Sequence, residues 1–530
     1  MPRDSSSPSI IVAGPRNLLT QSAKPRALLL LALAVVSLLT ICPGCRRRVS
    51  REHDRVPTKD YQYLTARVGF AAPQAELHLT RRMAEQDLDE LEWLIENRYS
   101  YRDLRGVDYR AALDAIRAGF GDSITRSDLT YQLLKLLSLF GDGHTRIRDP
   151  SLKRSLCSEF LPFLVEESRT RLVAFKADRS AFLHPGFPYL RAMDGIPIDA
   201  WLEAAGRLVP QGSPQLHRAA SIRYLRYIEC LRKDLGLATT GPVQVSLEDP
   251  HGRETKQLDL PLAAECPEYG SWPPTETATL PGNIGYLHII PLMDCRPEFL
   301  HDLADTMRRC RETSGLIIDI RGNEGGNRAP LRVLFPFFMA DDDSPRVVNV
   351  AAYRLGVSES EERFRLRHLY PASWPGWSPA EREAIRRFAA TFRPAWVPPE
   401  GEFSQWHYFV ISPRRDEGCF HYDKPVVVLM DSYDMSACDI FLGAFKDWRN
   451  VTLMGLPSGG TSGCRRKYDL RHSYVGLYLS SMASFRPTGQ LYDGNGIQPD
   501  IRVEPVPTDF IGKTDTTLAA AVSILSANQD

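Results

Sequence analysis

The sequence predicts an α/β protein with more than one folded part, and three patterns predict it. Between residues 282 and 507, short apolar runs alternate with amphipathic segments, which is typical of a core with a partly parallel sheet. Residues 85–140 place apolar side chains at helical spacing, whereas residues 160–262 contain short strand-like runs. Because 530 residues exceed what one core accommodates, we expect two or three domains.

Composition excludes some classes of function. Hydrophobic residues make up 43% of the chain and charged residues 25%, as in an ordinary globular protein. Basic and acidic residues both number 65, so no overall charge favours nucleic acid or anionic lipid, and no nucleic-acid partner is predicted. The cysteines from Cys157 onward form no C-x-x-C pair, which argues against a zinc site and leaves any disulfide pairing open.

The N-terminal segment differs from the rest of the chain. The apolar run ALLLLALAVVSLLTI at residues 27–41 is shorter than a transmembrane span and is typical of an export signal. Cys42 and Cys45 follow directly and suggest lipid attachment, with a cleaved signal or an uncleaved anchor as alternatives. We therefore predict a signal or lipoprotein-type segment at residues 1–45, export to the periplasm or cell envelope with possible membrane anchoring through the N-terminus, and a linker at residues 46–79.

Two regions precede the α/β core. Residues 80–150 are predicted to form an N-terminal helical domain, because Leu88, Leu91 and Ile95 share one helical stripe and the region ends in G-D-G-H-T. Residues 155–265 contain four strand-like runs, the helical segment IDAWLEAAGRL and a second helix predicted at 214–235. The order strand, turn, D-G-I-P-I and helix resembles a PDZ domain, so a PDZ-like module is predicted here.

The α/β core is predicted at residues 280–510. Its strands and helices alternate from GYLHII through PVVVLM and SACDIFLGAFKDW to VTLMGL, followed by YVGLYLSS and ASFRP as paired strands. The Pro- and Trp-rich stretch 340–419 is predicted to be a surface excursion, and residues 511–530 a C-terminal tail.

Ser436 is the first candidate for chemistry. The run VVVLM ends at a polar turn, and Ser436 begins the next predicted helix. A hydroxyl at this position lies beside free backbone N–H groups and the positive end of the helix dipole, which favours negative charge on a bound carbonyl oxygen. The alternative is a helix N-cap, for which serine is a favoured residue.

Further candidates lie elsewhere in the chain. Gly325 and Gly326 follow the strand GLIIDI, and their missing side chains either let backbone N–H groups approach a ligand or form an ordinary turn. His144, in FGDGHT, is a candidate general base. Asp493, in YDGNGIQPDI, is either a turn residue or the carboxylate that orients the histidine.

These motifs, in this order, resemble the C-terminal-processing and tricorn-type serine peptidases. The motifs are D-x-R-G-N-x-G-G after a strand, S-A-x-D/E after a strand and turn, and G-x-G-I-x-P-D-I near the end. The resemblance implies a crotonase-like ββα peptidase catalytic core, with Ser436 as the nucleophile. It extends more loosely to the helical domain and to the PDZ-like module.

The resemblance also bears on the general base. Members with a Ser–Lys dyad carry the lysine in G-E-P-x-x-G-K, where this chain has Thr461, and Lys467 is too far along the chain to replace it well. The histidine-dependent branch uses D-x-H-T/S and a carboxylate before the final glycines, and His144 and Asp493 match these positions. The usual carboxylate there is a glutamate. Because aspartate has a shorter side chain, the loop that carries Asp493 would have to lie closer to the histidine.

The function that the resemblance implies is that of an exported serine endopeptidase acting on polypeptides. Ser436, His144 and Asp493 would form the catalytic group, and the backbone N–H groups of Gly325 or Gly326 and of Ala437 the oxyanion hole. No metal or organic cofactor is needed. A non-catalytic ligand-binding protein on the same scaffold and an acyl hydrolase of a non-protein substrate are the alternatives. The oligomeric state is open.

Overall fold

The computed structural model describes residues 76–148, 156–270, 272, 277–289, 292, 296–356, 367–414 and 418–527. The predicted export segment, Cys42, Cys45 and most of the predicted linker lie outside these residues. All described residues belong to one folded unit of mixed α/β structure.

The first region is mainly helical, and short polar side chains start its helices. Thr80 accepts a hydrogen bond from the N–H of Met83 at 3.3 Å, and Thr125 accepts one from that of Asp128 at 3.0 Å. The predicted stripe of Leu88, Leu91 and Ile95 is fully buried. The elements are β1 His78–Thr80, α1 Arg81–Arg98, α2 Tyr109–Ala118, β2 Ser123–Thr125, α3 Arg126–Leu139 and β3 Arg146–Ile147.

The second region is an antiparallel sheet in the order β4-β5-β6-β8-β9, with three helices. The prediction of a single helix at 214–235 is wrong, because the helix is interrupted between Tyr224 and Ile228. There the carbonyl of Arg226 accepts from the N–H of Leu161 at 3.0 Å, which takes it out of any helical ladder. The elements are β4 Phe163–Ser168, β5 Arg171–Lys176, β6 Tyr189–Met193, β7 Ile196–Pro197, α4 Ile198–Gly206, α5 Pro214–Tyr224, α6 Ile228–Asp234, β8 Val243–Glu248 and β9 Thr255–Leu260.

The third region is built on a six-stranded sheet in the order β10-β11-β12-β16-β17-β21. Only β10 is antiparallel to its neighbour, so the described strands bear out the expected parallel character. The elements are β10 Ala278–Leu280, β11 Ile284–His288, α7 Pro297–Arg309, β12 Gly315–Asp319, α8 Ala329–Leu334, β13 Arg346–Tyr353, β14 Tyr370–Pro371, α9 Pro379–Thr391, β15 His407–Ile411, β16 Val426–Met430, α10 Ala437–Phe445, β17 Val451–Gly455, β18 Arg465–Asp469, β19 Gly476–Ser480, β20 Met482–Phe485, β21 Ile501–Arg502 and α11 Thr516–Ala527.

Helices cover both faces of this sheet. Alternate residues of β16 contribute to two different apolar clusters, as the pleat of a strand requires. One cluster includes α10, all of whose residues are buried. The other includes Ala521 and Leu525 of α11, so much of the predicted C-terminal tail is a packed helix. Of the helices in the described part of the chain, none has the length and apolar character needed to cross a bilayer.

Two expectations about the later strands are wrong. The stretch 340–419 is not a surface excursion, because β13 and β15 lie within it, are almost wholly buried and pair in a four-stranded sheet. β19 and β20 do not pair with each other. Only Ser481 separates them, which is too short for a hairpin, and β19 pairs with β18 and β3 while β20 pairs with β13.

The structure predicts one disulfide. The sulfur atoms of Cys157 and Cys230 lie 2.7 Å apart, both residues are buried, and both thiols are free. Because the two cysteines are 73 positions apart in the sequence, a crosslink should contribute about 4 kcal/mol to the free energy of unfolding. After treatment with oxidised glutathione, non-reducing peptide mapping should recover the Cys157–Cys230 crosslink. The Cys230→Ser variant serves as control, and free thiols at both positions after oxidation would contradict the prediction.

Candidate active site

Ser436 lies at a sharp turn between β16 and α10. Its backbone has φ 61° and ψ −109°, whereas a capping residue normally has extended backbone with negative φ. A non-glycine residue in this region costs about 1–3 kcal/mol and persists only where its surroundings impose it. Such strand-to-helix turns project a serine hydroxyl above the carboxyl edge of a sheet. The backbone therefore distinguishes Ser436 from an ordinary N-cap serine.

Asp439, in the first turn of α10, holds this turn in place. Its buried carboxylate accepts from the N–H groups of Ser436 at 3.0 Å, Thr461 at 2.9 Å and Gly460 at 3.0 Å, and from the hydroxyl of Ser458 at 2.5 Å. Burial raises the pKa of Asp439 to about 7, against the lowering effect of these donors. Asp439 was not singled out from the sequence, although it is the last residue of the S-A-x-D/E motif.

The glycine turn after β12 contacts Ser436 directly. Gly325 has φ +83°, and a Cβ there would lie 2.3 Å from the carbonyl oxygen of Met435 and 2.9 Å from the Cβ of Ser436. Only glycine permits this approach. The N–H of Gly325, however, donates to Oδ1 of Asn323 at 2.9 Å. The N–H of Gly325 is therefore already engaged, which favours Gly326 of the two alternative oxyanion donors.

Gly326 and Ala437 are left as backbone donors. Gly326 is partly exposed, and Ala437 is the first residue of α10, so its N–H has no intrahelical acceptor. The N of Ala437 lies 2.8 Å from the point that a Cβ on Gly325 would occupy, which brings the glycine turn and the helix start together.

Asn323 and Asp434 position the glycine turn, and sequence reasoning missed both. The side chain of Asn323 donates to the carbonyl of Ile289 at 2.7 Å and accepts from Gly325. The carboxylate of Asp434 accepts from the N–H groups of Asn323 and Asp431 at 3.3 and 2.7 Å. The only sequence signal for either was the asparagine in the N-x-G-G motif.

His144 lies between α3 and β3, on a loop shaped by Asp142. The carboxylate of Asp142 accepts from the N–H groups of His144 and Thr145 at 3.1 and 2.9 Å, and from the hydroxyls of Tyr99 and Ser480 at 2.8 and 2.5 Å. Asp142 is the aspartate of G-D-G-H-T, so the motif contained this signal too.

The structure brings His144 and Asp493 together. A ring nitrogen of His144 and carboxylate oxygens of Asp142 and Asp493 lie within 4.8 Å of one another. Nδ1 of His144 is buried and has no hydrogen-bond partner among the described residues. Burial lowers the pKa of His144 well below its usual range, and the positive charges of Arg146, Arg465 and Arg367 lower it further. The imidazole is therefore neutral at physiological pH, as a general base requires.

Asp493 is buried and accepts three hydrogen bonds. Its oxygens accept from the hydroxyl of Tyr101 at 2.5 Å and from the hydroxyl and N–H of Ser462 at 2.8 and 3.1 Å. Burial raises the pKa of Asp493 to about 6, and the nearby charge of Asp142 adds to the effect. No sequence pattern had indicated Tyr101.

Thr461 lies between the three loops that carry the candidates. Its carbonyl accepts from the N–H of Ser436 at 2.7 Å, and a Cβ on Gly143 would lie 2.5 Å from its Cγ2 atom. The next residue, Ser462, is the one that binds Asp493. The residue found where a lysine stands in the dyad branch therefore touches the histidine loop and links it to Ser436.

The cluster of His144, Asp142 and Asp493 has the residue types of a metal site. Its carboxylate oxygens, however, already accept hydrogen bonds from Tyr99, Tyr101 and other protein donors. Such donors would have to turn away before a cation could bind, so the cluster is better suited to orienting an imidazole.

A cavity of about 350 Å³ adjoins these residues. It is lined by Met435, Glu324 and Gly143, each next in sequence to a candidate residue, and by apolar side chains such as Leu137 and Leu216. A larger cavity of about 730 Å³ is also lined by Tyr433, and neither cavity is lined by Ser436, His144 or Asp493 themselves. The smaller cavity is therefore the one lined by sequence neighbours of Ser436, Gly325 and His144.

Part of this chain matches a known family model. Residues 283–503, which include Ser436, the glycine turn and Asp493, match the family model described as peptidase family S41. This part of the chain is a peptidase family S41 domain. The family model does not include His144, which reaches the site from the N-terminal helical region.

Individual relatives are more distant. A segment of 97 residues is 35% identical to the carboxy-terminal-processing protease of Bartonella bacilliformis, and the match spans 18% of this chain and only 22% of that protein. The structure of mature CPAF complexed with lactacystin has 17% identity and a TM-score of 0.60, covering 85% of this chain and 99% of the other. The crystal structure of mature CPAF has 17% identity and a TM-score of 0.59, covering 84% of this chain and 97% of the other. At this identity the likeness shows a shared fold.

Gly325→Ala should be far more destabilising than a glycine replacement with similar backbone and open space. Gly401, with φ +77° and no atom within 4 Å of a new Cβ, provides the control. The left-handed backbone should lower the free energy of unfolding of both variants by about 1–2 kcal/mol. The clash at the Ser436 turn should lower that of Gly325→Ala by a further ~1–3 kcal/mol. Chemical denaturation measures both losses, and equal losses would contradict the described packing.

Proposed function

We propose that this protein is an exported serine endopeptidase that cleaves polypeptides through Ser436, His144 and Asp493. The observation that carries the proposal is Ser436 itself. Within a peptidase family S41 domain, it occupies a left-handed backbone conformation at the carboxyl edge of the sheet, imposed by Asp439 and Gly325. Strain of this kind concentrates at functional sites.

The proposed mechanism assigns one task to each group. Ser436 attacks the scissile carbonyl while neutral His144 takes its proton, and the imidazolium then returns that proton to the leaving amine. Asp493, within 4.8 Å of the ring, orients the imidazole and stabilises its charged form. The N–H groups of Gly326 and Ala437 stabilise the oxyanion.

We further propose the finer architecture that the sequence suggested. Residues 280–510 form a crotonase-like core, residues 80–150 an N-terminal helical domain and residues 155–265 a PDZ-like module. The antiparallel order β4-β5-β6-β8-β9 with α4 after β7 supports the last of these. Export rests on residues 1–45, with a lipid anchor at Cys42 or Cys45 as one possibility.

A second candidate function is that of a ligand-binding protein on the same scaffold. It is favoured by Nδ1 of His144, which has no hydrogen bond to a described carboxylate although two lie nearby. Catalytic hydrogen bonds often tighten only when substrate binds, so this geometry does not decide against catalysis.

Covalent labelling tests the nucleophile and the base. The protein should react with a fluorophosphonate probe, and Ser436→Ala should abolish the reaction because no hydroxyl remains. His144→Ala should slow labelling by about two to four orders of magnitude, the usual contribution of a general base. His301→Ala, at an exposed position on α7, is the matched control and should label at the parent rate.

Mass mapping of the labelled residue completes this test. Labelling that persists in Ser436→Ala would remove Ser436 from the nucleophile role. An unreactive but folded parent protein would favour the ligand-binding alternative.

The labelling rate should fall as pH falls through about 6. Asp493 has its pKa raised to about 6, so below this pH it becomes neutral and no longer stabilises the imidazolium. His144, whose pKa is lowered, stays neutral over the same range and adds no acid limb there. In the Asp493→Asn variant, labelling should be slower at pH 8, and its rate should no longer fall near pH 6. If the rate of this variant still falls near pH 6, another group is responsible for the fall.

A further inference from the structure

The three-stranded sheet beside His144 carries a row of basic side chains. It has the order β18-β19-β3, and Lys467, Tyr478 and Arg146 stand opposite one another across it. Residues in such register point to the same face, and Arg465, two residues before Lys467, shares that face. We call Arg146, Arg465 and Lys467 the basic row.

The basic row lies on the outward face of this sheet. The intervening residues Ile147, Leu477 and Leu479 are almost completely buried and pack into the core on the other face. Lys467 is exposed, while Arg146 and Arg465 are partly buried. The guanidinium of Arg465 stacks over the ring of Tyr478 at 5.0 Å, so the aromatic side chain supports one cation within the row.

The basic row has no neutralising partner in the described part of the chain. None of its three cations forms an ion pair there, and Asp469, the carboxylate at the far end of β18, is paired with Arg148. Glu324 is close enough to act on Arg146 electrostatically but makes no ion pair with it. Burial lowers the pKa of the Arg146 guanidinium, so a carboxylate that bound there would offset the cost of its desolvation.

The basic row adjoins the proposed catalytic groups. Arg146 is two residues from His144 and lines the 350 Å³ cavity together with Gly143 and Met435. The positive charges of Arg146 and Arg465 both act on the imidazole. A polypeptide in this cavity with its scissile bond at Ser436 would therefore have neighbouring residues within reach of these cations.

We propose that the basic row binds side-chain carboxylates of the polypeptide substrate, so that this protein selects segments with acidic residues close to the cleaved bond. This inference rests on the proposed peptidase function for its cleavage preference, but the binding itself does not require catalysis. A polypeptide is favoured over nucleic acid because the row is short, adjoins an apolar cavity and belongs to a chain with no net charge.

Binding to full-length Ser436→Ala protein tests the inference without catalysis. Two peptides of identical length, labelled with an uncharged dye, carry either Glu or Gln at every second position around an apolar residue. We expect the Glu peptide to bind at least about tenfold more tightly in fluorescence anisotropy, the sum of a few exposed charge pairs. The difference should shrink at 1 M salt, where the Debye length is about 3 Å.

Charge-removing variants identify the site. Arg465→Gln combined with Lys467→Gln should remove most of the preference for the Glu peptide, and Arg465→Glu with Lys467→Glu should reverse it. Lys256→Gln, an exposed lysine on β9, is the matched control and should keep it. Equal affinity for both peptides, or a preference that survives these variants, would overturn the inference. An oligonucleotide of equal charge that binds more tightly than the Glu peptide would overturn it too.

Cleavage by the parent protein separates the two proposals. If fluorophosphonate labels Ser436, matched Glu and Gln substrates should differ in kcat/KM by a similar factor, and equal values would refute the acidic preference while leaving the peptidase proposal intact. If the probe does not react yet the Glu peptide binds through Arg465 and Lys467, the peptidase proposal fails and the basic row remains an acidic-peptide site.

Discussion

The buried carboxylate of Asp439 is the interaction on which the arrangement around Ser436 depends. It accepts from four donors, three of them on the loop that follows β17 and one on Ser436 itself. Leaving a buried donor without a partner costs about 1–3 kcal/mol, so the carboxylate joins the helix start, the serine turn and the loop into one unit. The strained backbone of Ser436 persists because this unit holds it from both sides.

Two glycines, which have no side chain, allow the loops of the site to pack closely. Gly325 approaches Ser436 and Ala437 more closely than any Cβ would allow, and Gly143 does the same toward Thr461. Close approach at Gly325 brings the start of α10 against the glycine turn, where backbone N–H groups converge. Close approach at Gly143 brings the His144 loop, from a region far away in sequence, against the loop bound to Asp439. Geometry at the site thus follows from backbone packing as much as from side-chain chemistry.

The electrostatics of the site follow from the same burial. Asp493 and Asp439 lose water and gain protein donors, and the net effect raises the pKa of both carboxyl groups. His144 is desolvated beside several arginines, which keeps its imidazole neutral. A neutral base, a carboxylate with a pKa raised to about 6 and a row of cations that form no ion pair with the described residues therefore lie within one small part of the molecule.

The sequence by itself determined the elements whose signals are local. The buried strand before Ser436, the helix after it, the stripe of α1 and the glycine turn all depend on residues close together in the chain, so periodicity and glycine placement predicted them. The family motifs indicated which serine, histidine and aspartate to bring together. Tertiary structure decided what depends on distant partners: the break after α5, the burial of β13 and β15, the separate pairing of β19 and β20, and the use of the Gly325 N–H by Asn323. It also decided the roles of Asp142, Asp439 and Tyr101, because burial and hydrogen bonds between separate loops leave no periodic trace in a single sequence.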